Sequence, residues 1–413
     1  MEALTYSTVA VTVGLVITRP RLSPRLRLTP SMAALAGVAI LTALGSVRFA
    51  DIAWAARTMW RPLLGVVSIM VMTGVARRMG VLEGISELAF RHARGSATRL
   101  FALVFAFGSV TAAVLNNDSA ILLVTPLVVD AVRRRRPELV IPLAFAVFLS
   151  AGVAPFIVSN PMNMVVASYS GIGFNEYAAK MAIPALAGSI VTFAVIHLAF
   201  RRTLAAVGTF PEEESEGGDV FRGRKVVALA ALGAVVLAYP VVSWFGGPVW
   251  IVAAAGALLL LAIGAWAKCS PKEVVAEGVH LDTLLFLVAA LILSIGLRNV
   301  GIVDRLANVY AGASPMKIGI VSALGSAVLN NHPMSHLNMF ALAAEEGAAS
   351  HVNVLAALIG GDLGPRLFPM GSLAGLLWLE MLRRDGIEVP VRRFLVIGAL
   401  ATLPSLIACL ALL

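Results

Sequence analysis

The sequence predicts an all-α polytopic membrane protein. Apolar residues make up 59% of the 413 residues, charged residues make up only 13%, and the mean hydropathy is +0.90. Soluble chains carry about 25% charged residues, so this composition excludes a soluble enzyme, a disordered chain and a nucleic-acid-binding module. The net charge of +9 is concentrated in short basic clusters between apolar runs, a pattern that reports membrane topology.

Ten apolar runs approach the roughly 20 residues that a spanning helix needs. They are 4–18, 31–48, 54–76, 138–155, 178–200, 226–244, 248–267, 281–297, 373–382 with its upstream residues, and 394–413. The first run has no basic leader or cleavage site before Arg19, so we expect a retained span rather than a signal peptide. Two more apolar stretches, 98–132 and 315–344, are broken by polar residues, and each is predicted to form a re-entrant helical hairpin.

Basic residues predict the orientation of these spans. If the first span runs from outside to inside, the inner segments hold 24 of the 32 Lys and Arg residues. These segments are 19–28, 77–99, 133–136, 201–225, 268–272 and 383–393. The first hairpin is basic at both ends, so we expect it to enter from the cytoplasmic side. The second has few flanking charges and is expected to enter from outside, which places both chain ends outside.

This arrangement is an inverted repeat, a common plan among secondary transporters. The predicted halves are 1–202 and 224–413, each with five spans and one hairpin, joined by a cytoplasmic linker at 203–223. Two short matches support the repeat. The sequence Val-Leu-Asn-Asn of 114–117 recurs at 328–331, and the segment 77–83 resembles 298–304 at a similar distance before each hairpin.

Four polar interruptions fall at predicted membrane depth, where an unpaired backbone group costs several kcal/mol. They lie at 116–119, 155–163, 330–333 and 360–372. The Asn160-Pro161 pair is typical of a helix start, and we expect Asp118, Ser119 and Asn331 to cap helices in the same way. Side chains at these breaks are the candidate substrate-binding residues: Asn116, Asn117, Asp118, Ser159, Asn160, Asn163, Asn330, Asn331, His332 and Asp362.

Asp118 and Asp362 are the two acids placed in these breaks. A carboxylate at membrane depth marks function by default, so we predict proton coupling through at least one of them; the alternative is a permanently ionised helix cap. His332 and His336 have i, i+4 spacing, but no nearby Glu or Cys completes a metal site, and neither metal nor cofactor is expected. Arg366 is either a fixed cation near the site or a side chain that extends to the membrane surface.

Several of these motifs resemble the ArsB-type arsenite/antimonite efflux carriers of the ion transporter superfamily. The resemblance rests on Asn117-Asp118 with 121–126, on 157–160 with Asn163, on 296–299, on Asn330-Asn331, and on 361–365 through 371–374. It implies export of trivalent arsenic or antimony across the bacterial cytoplasmic (inner) membrane, driven by protons, sometimes with a soluble ArsA-type ATPase partner. His332 departs from the usual apolar residue, and the short central loop leaves ATPase docking open.

Cysteine content limits how such a substrate binds. The chain has only Cys269 and Cys409, and neither is expected near a break, so three thiolates cannot hold the metalloid. We therefore expect binding of the neutral trihydroxide through hydrogen bonds to amide, hydroxyl and carboxylate groups.

Three other classes of protein are alternatives to this interpretation. A Na⁺-coupled carboxylate carrier of the same superfamily is the main alternative, but Asn-Asn-Asp and Asn-Asn-His at the hairpins disfavour it. The sequence contains no recognisable catalytic motif of an intramembrane enzyme. If the protein were a scaffold without transport activity, its paired helix breaks would have no explanation.

Overall fold

The computed structural model describes residues 1–23, 26–209, 223–343 and 348–413. The chain is almost entirely helical over these ranges, which confirms the predicted all-α class. A short antiparallel hairpin of β1 (Arg21–Ser23) and β2 (Leu26–Arg27) is an addition that the sequence analysis missed. Within the described residues, seven helices are long and apolar enough to cross a membrane.

Ten helices precede the centre of the chain. They are α1 (Glu2–Thr18), α2 (Pro30–Ala43), α3 (Phe49–Arg78), α4 (Val81–Ala93), α5 (Ala97–Val114), α6 (Asn117–Ser119), α7 (Thr125–Arg133), α8 (Pro137–Ser150), α9 (Pro161–Tyr169) and α10 (Phe174–Val207). A π-helical segment, Ala120–Val124, joins α6 to α7. Because α10 continues to Val207, the predicted linker 203–223 begins as helix; its residues 210–222 lie outside the described ranges.

Ten helices follow in the second part. They are α11 (Arg224–Trp244), α12 (Val249–Trp266), α13 (Pro271–Gly278), α14 (Leu281–Asn299), α15 (Ile302–Tyr310), α16 (Pro315–Leu329), α17 (Asn331–Leu342), α18 (Ala348–Leu363), α19 (Leu373–Arg384) and α20 (Val391–Ala411). Two 3₁₀ turns, Gly364–Arg366 and Pro369–Gly371, separate α18 from α19.

Helix starts follow the sequence signals for capping. The side chains of Thr29, Ser96, Ser270 and Ser314 accept backbone N–H bonds at the starts of α2, α5, α13 and α16. Three of these caps are followed directly by proline, whose missing N–H costs nothing at the first helical position. These four helices therefore begin at a short polar side chain that caps the first turn.

Apart from the β1–β2 hairpin in the first part and α13 in the second, the order of elements is the same in both parts of the chain. Two apolar helices lead to a long helix, a short helix, a helical hairpin, a helix broken in its middle, and a last long helix. Gly80 and Gly301 precede the short helices α4 and α15, and both adopt left-handed φ angles of 72° and 82°. The matched segments 77–83 and 298–304 thus form the same turn twice. Neither short helix was predicted from sequence.

The two parts of the chain interlock. Helix α2 packs against α14, α12 packs against α3, and α10 packs against α20. The second hairpin meets the broken helix α18 closely, because the backbones of Gly360 and Gly364 touch those of Gly319 and Ala323 and leave no room for side chains. This packing brings the first arm of the second hairpin directly against the second broken helix.

Candidate functional site

At both hairpin tips, an asparagine with a positive φ angle connects the two arms. Asn116 and Asn330 have φ angles of 149° and 80°, a region that residues other than glycine rarely occupy. The Asn116 Oδ1 accepts the N–H of Ser119 at 2.6 Å, and the Asn330 Oδ1 accepts the N–H of His332 at 3.3 Å. The expected caps Asp118, Ser119 and Asn331 were therefore wrong by one to three positions. The asparagine that ends the first arm also caps the second arm.

The first broken helix restarts as the sequence predicts, and the second restarts at a serine cap that was not predicted. Asn160 caps α9 by accepting the Met162 N–H at 3.0 Å, with Pro161 at the first helical position. Ser372 caps α19 by accepting the Gly375 N–H at 3.0 Å. Both caps adopt extended backbone conformations, which is usual for this position.

Asp362 joins the two parts of the chain. Its Oδ1 accepts a hydrogen bond from the Asn160 amide at 2.6 Å, and its Oδ2 accepts one from the Asn163 amide at 3.0 Å. The Asn163 amide also donates to the Tyr177 hydroxyl at 3.0 Å. All four side chains are buried. Three of the sequence-predicted site residues thus form one hydrogen-bonded cluster; Tyr177 is an addition, because a single tyrosine in an apolar span gives no sequence signal.

Asp118 occupies a different environment. It is half-buried, and its carboxylate has no hydrogen-bond partner among the described residues. Together with Asn116 and Ser119 it lines a cavity of about 220 Å³. The cavity, called the vestibule below, is also lined by Arg19, Met70, Thr73, Gly74, Arg77, Arg78, Leu122, Leu123, Pro161, Val274, Glu277, Gly278, His280, Asp282, Thr283, Leu373, Ala374 and Leu377.

Charged side chains line the vestibule on the α13 side. Arg78 contacts Glu273 and donates to Glu277 at 2.6 Å, and this hydrogen bond lowers the pKa of Glu277. The pair is therefore held at neutral pH and weakens only as the pH falls through that lowered value. The glutamates are exposed and Arg78 is half-buried, so the pair contributes little to stability.

Asn117 and Ser159 are buried beside the first broken helix. The Asn117 amide donates to the backbone oxygen of Gly152 at 3.2 Å, while its Oδ1 has no partner within the described structure. The Ser159 hydroxyl is likewise unpartnered there. Buried polar atoms are normally hydrogen-bonded, so the Asn117 carbonyl and the Ser159 hydroxyl each lack an expected partner among the described residues. Neither residue lines the vestibule.

The second hairpin tip is closed. Asn330, Asn331 and His332 are all buried, and the ring of His332 meets Phe286 edge-on at 5.5 Å. The Asn331 Oδ1 and the His332 Nδ1 have no partner among the described atoms. Helix α17 packs against α9, so this tip lies beside the first broken helix but does not line the vestibule.

The structure decides between the two alternatives for Arg366. It is 4% exposed, so it is a buried cation and does not extend to the membrane surface. Cys409 is buried in α20. Its thiol donates to the Pro184 oxygen at 3.2 Å. Cys269 is half-buried next to the short helix α13.

Comparison with known proteins defines the class first. The chain has the fold of a membrane transporter: it aligns over 99% of its length, at a TM-score of 0.56 and 15% identity, with 95% of the crystal structure of the YdaH transporter of Alcanivorax borkumensis. At this identity the likeness concerns the fold alone.

The family follows from the sequence. The profile of the family described as "Arsenical pump membrane protein", ArsB, matches residues 5–413, and the chain belongs to this family. It is 28% identical over 393 residues to the arsenical pump membrane protein of Escherichia coli K12, covering 91% of each chain. It is also 27% identical over 401 residues to an uncharacterized transporter of Mycobacterium tuberculosis, covering 92% of each. The resemblance inferred from the motifs is confirmed.

Proposed function

We propose that this protein exports trivalent arsenite or antimonite as the neutral trihydroxide, in exchange for protons that move inward. The observation that carries the proposal is the half-buried Asp118 carboxylate, which lines the vestibule without a hydrogen-bond partner in the described structure. An acid at this depth that is reachable from one side is suited to exchange a proton for a solute.

The groups around Asp118 suit a small polyhydroxyl solute. A trihydroxide presents three hydroxyl groups that both donate and accept, and the vestibule offers the Asp118 carboxylate with the neighbouring Asn116 and Ser119 side chains. A cavity of about 220 Å³ is many times the roughly 10–15 Å³ that one water needs on the same measure, so it has room for a small solute. Hydrogen bonds of this kind exchange quickly, which favours release of the solute.

The proposed cycle follows alternating access. The trihydroxide enters the vestibule from the cytoplasm and donates a hydroxyl hydrogen bond to ionised Asp118. The molecule then closes on this side and opens on the other, where Asn331 and His332 meet the solute and a proton replaces it on the carboxylate. A neutral solute leaves and one proton enters, so net charge moves inward.

The proposed orientation places Arg77 and Arg78 on the cytoplasmic side and both chain ends outside. It is supported by the excess of Lys and Arg in the inner segments. A soluble ArsA-type ATPase would then meet the vestibule side of the protein as an accessory partner.

Everted membrane vesicles test the proposal. Inside-acid vesicles that contain the protein should accumulate arsenite, and dissipation of the proton gradient should remove the accumulation. Vesicles without the protein give the background. Sodium-dependent succinate uptake without arsenite uptake would overturn the proposal in favour of a carboxylate carrier, and arsenite uptake that ignores the proton gradient would remove the coupling.

A further inference from the structure

A second cavity, called the basic cavity below, is lined by the ends of α1, α19 and α20. Helix α1 ends at Thr18, α19 ends at Arg384 and α20 begins at Val391. The chain turns away from α1 at Arg19 and from α19 at Gly386, which have positive φ angles of 44° and 75°. The cavity has a volume of about 490 Å³, more than twice that of the vestibule.

Arginines dominate the charge of the basic cavity. Glu380, in its lining, contacts three guanidinium groups: Arg19 at 3.7 Å, Arg27 at 2.5 Å and Arg384 at 2.8 Å. One carboxylate offsets only one of these positive charges. Arg383 also lines the cavity, and it has neither an ion pair nor a hydrogen bond among the described residues. Its guanidinium is therefore available to a ligand.

The acids near the basic cavity do not balance these arginines. Glu388 is the second acid of the lining, and it is exposed. Asp385 is paired with Arg133 at 3.5 Å. When Asp282, which lines the vestibule beyond Arg19, is counted with the two glutamates, the four arginines still outnumber the three acids. The cavity thus carries a net positive charge that suits an anion.

The rest of the lining is apolar. Helices α1 and α20 are apolar, and Val391 at the start of α20 is 62% exposed. Arginines beside aliphatic side chains at the ends of membrane helices match a lipid headgroup and its chains, whereas a free inorganic anion would use only the charged part. Six aliphatic side chains form most of this part of the lining: Ile17, Leu376, Leu379, Ile387, Val389 and Val391.

We propose that the basic cavity binds one anionic phospholipid, with its phosphate held by Arg27 and Arg383 and its chains along the aliphatic lining. Guanidinium groups bind phosphate oxygens through paired hydrogen bonds, and basic pockets between membrane helices bind anionic headgroups. Because Arg19 lines both cavities, the bound lipid lies directly behind one wall of the vestibule. The lipid site goes beyond the proposed transport function and does not depend on it.

Native mass spectrometry of the purified full-length protein tests the proposal, with phosphatidylglycerol or phosphatidylcholine titrated into the detergent. The wild type should retain one phosphatidylglycerol at concentrations at which phosphatidylcholine does not bind. Arg383→Gln should weaken this binding about fivefold, the contribution of one arginine near an anionic lipid. Arg383 has no partner to lose, so the variant should fold normally. Arg134→Gln is the matched control, because Arg134 is exposed at the end of α7 and does not line the cavity.

A gain of affinity provides a second test. Glu388→Gln removes an acid from the lining and should strengthen phosphatidylglycerol binding about fivefold, which a destabilised protein could not do. Glu138→Gln, in the exposed first turn of α8, removes the same charge outside the cavity and should bind like the wild type.

Three results would overturn the lipid site. Equal retention of the two lipids would mean that the headgroup charge is not recognised. Equal affinities of Arg383→Gln and Arg134→Gln would mean that lipid collects on a diffuse charged surface. Displacement of phosphatidylglycerol by inorganic phosphate would mean that the ligand is the free anion. None of these measurements involves arsenite, so the lipid site and the proposed transport function stand or fall separately.

Discussion

The two hairpin tips have the same backbone and different surroundings. Asn116 and Asn330 both end one arm with a positive φ angle and cap the next. The first tip lines the vestibule, where Asp118 is half-buried. The second tip is sealed, with His332 against Phe286. The comparison shows that the two tips present the same kind of helix-start N–H donors, while their side chains and surroundings distinguish one tip from the other.

In the proposed cycle, this difference corresponds to one state of alternating access. A carrier that exposes one tip and closes the other must reverse the two arrangements to release its solute. Under that proposal the structure is the state in which the first tip is reachable, and the two tips should differ in function as they differ in exposure.

The largest effect is expected at Asp118. Asp118→Asn should reduce proton-driven arsenite efflux to background, because the amide cannot release a proton, while Asp118→Glu should keep part of it. Vesicle uptake with and without a proton gradient measures this. Asp130→Asn is the matched control, since Asp130 is exposed and paired with Arg133 at 3.6 Å. Full proton-driven efflux in Asp118→Asn would leave Asp362 as the only candidate acid.

A smaller effect separates the side chains of the two tips. Ser119→Ala should weaken arsenite binding from the vestibule side about tenfold, because Ser119 lines the vestibule and a lost hydrogen bond costs about 1–2 kcal/mol. Asn331→Ala should leave that affinity unchanged and slow efflux instead. Arsenite binding and efflux rates are compared in vesicles of defined orientation. Equal losses of vestibule-side affinity in both variants would contradict the distinction.

Because each tip has a capping asparagine with a positive φ angle, we expect similar stability changes at both tips. Asn116→Ala and Asn330→Ala each lose a helix cap and strain a backbone region that alanine avoids, at a combined cost of about 1–3 kcal/mol. Asn116→Gly and Asn330→Gly lose the cap but adopt the same φ angle freely, so they should cost less. Thermal unfolding in detergent measures the four changes. Alanine variants as stable as glycine variants would mean that the positive φ angles are absent in the folded protein.

The smallest effect is expected from the cysteines. A variant with Cys269→Ser and Cys409→Ser should export arsenite at nearly the wild-type rate, because the trihydroxide is bound through hydroxyl groups. Serine at 409 keeps the donor to Pro184, so the helix packing is preserved. Loss of transport in a folded double variant would require a thiol in the binding step, and the two single variants would then identify which thiol.

Much of this architecture could be predicted from the sequence because its signals are local. Apolar runs, the Asn160-Pro161 helix start and the matched segments 77–83 and 298–304 require no knowledge of distant contacts. The short helices α4 and α15 were missed because they are brief and amphipathic between stronger apolar runs. The caps at the tips were misplaced because an asparagine with a positive φ angle is not evident from residue type.

Long-range pairings could not be predicted. Nothing in the sequence shows that the Asp362 carboxylate receives the amides of Asn160 and Asn163, about 200 residues away. The burial of Arg366 depends on the space that Gly152 leaves in the other part of the chain. The different exposure of the two tips is a property of one conformation, which a sequence does not specify.

The most direct test is the electrical current that arsenite evokes in a supported membrane containing the oriented protein. Arsenite trihydroxide is neutral, so any steady current reports the protons that move with it. The account predicts a current that carries positive charge opposite to arsenite movement, that disappears in Asp118→Asn, and that persists in Asp130→Asn. Arsenite transport without current, or a current that survives in Asp118→Asn, would contradict it.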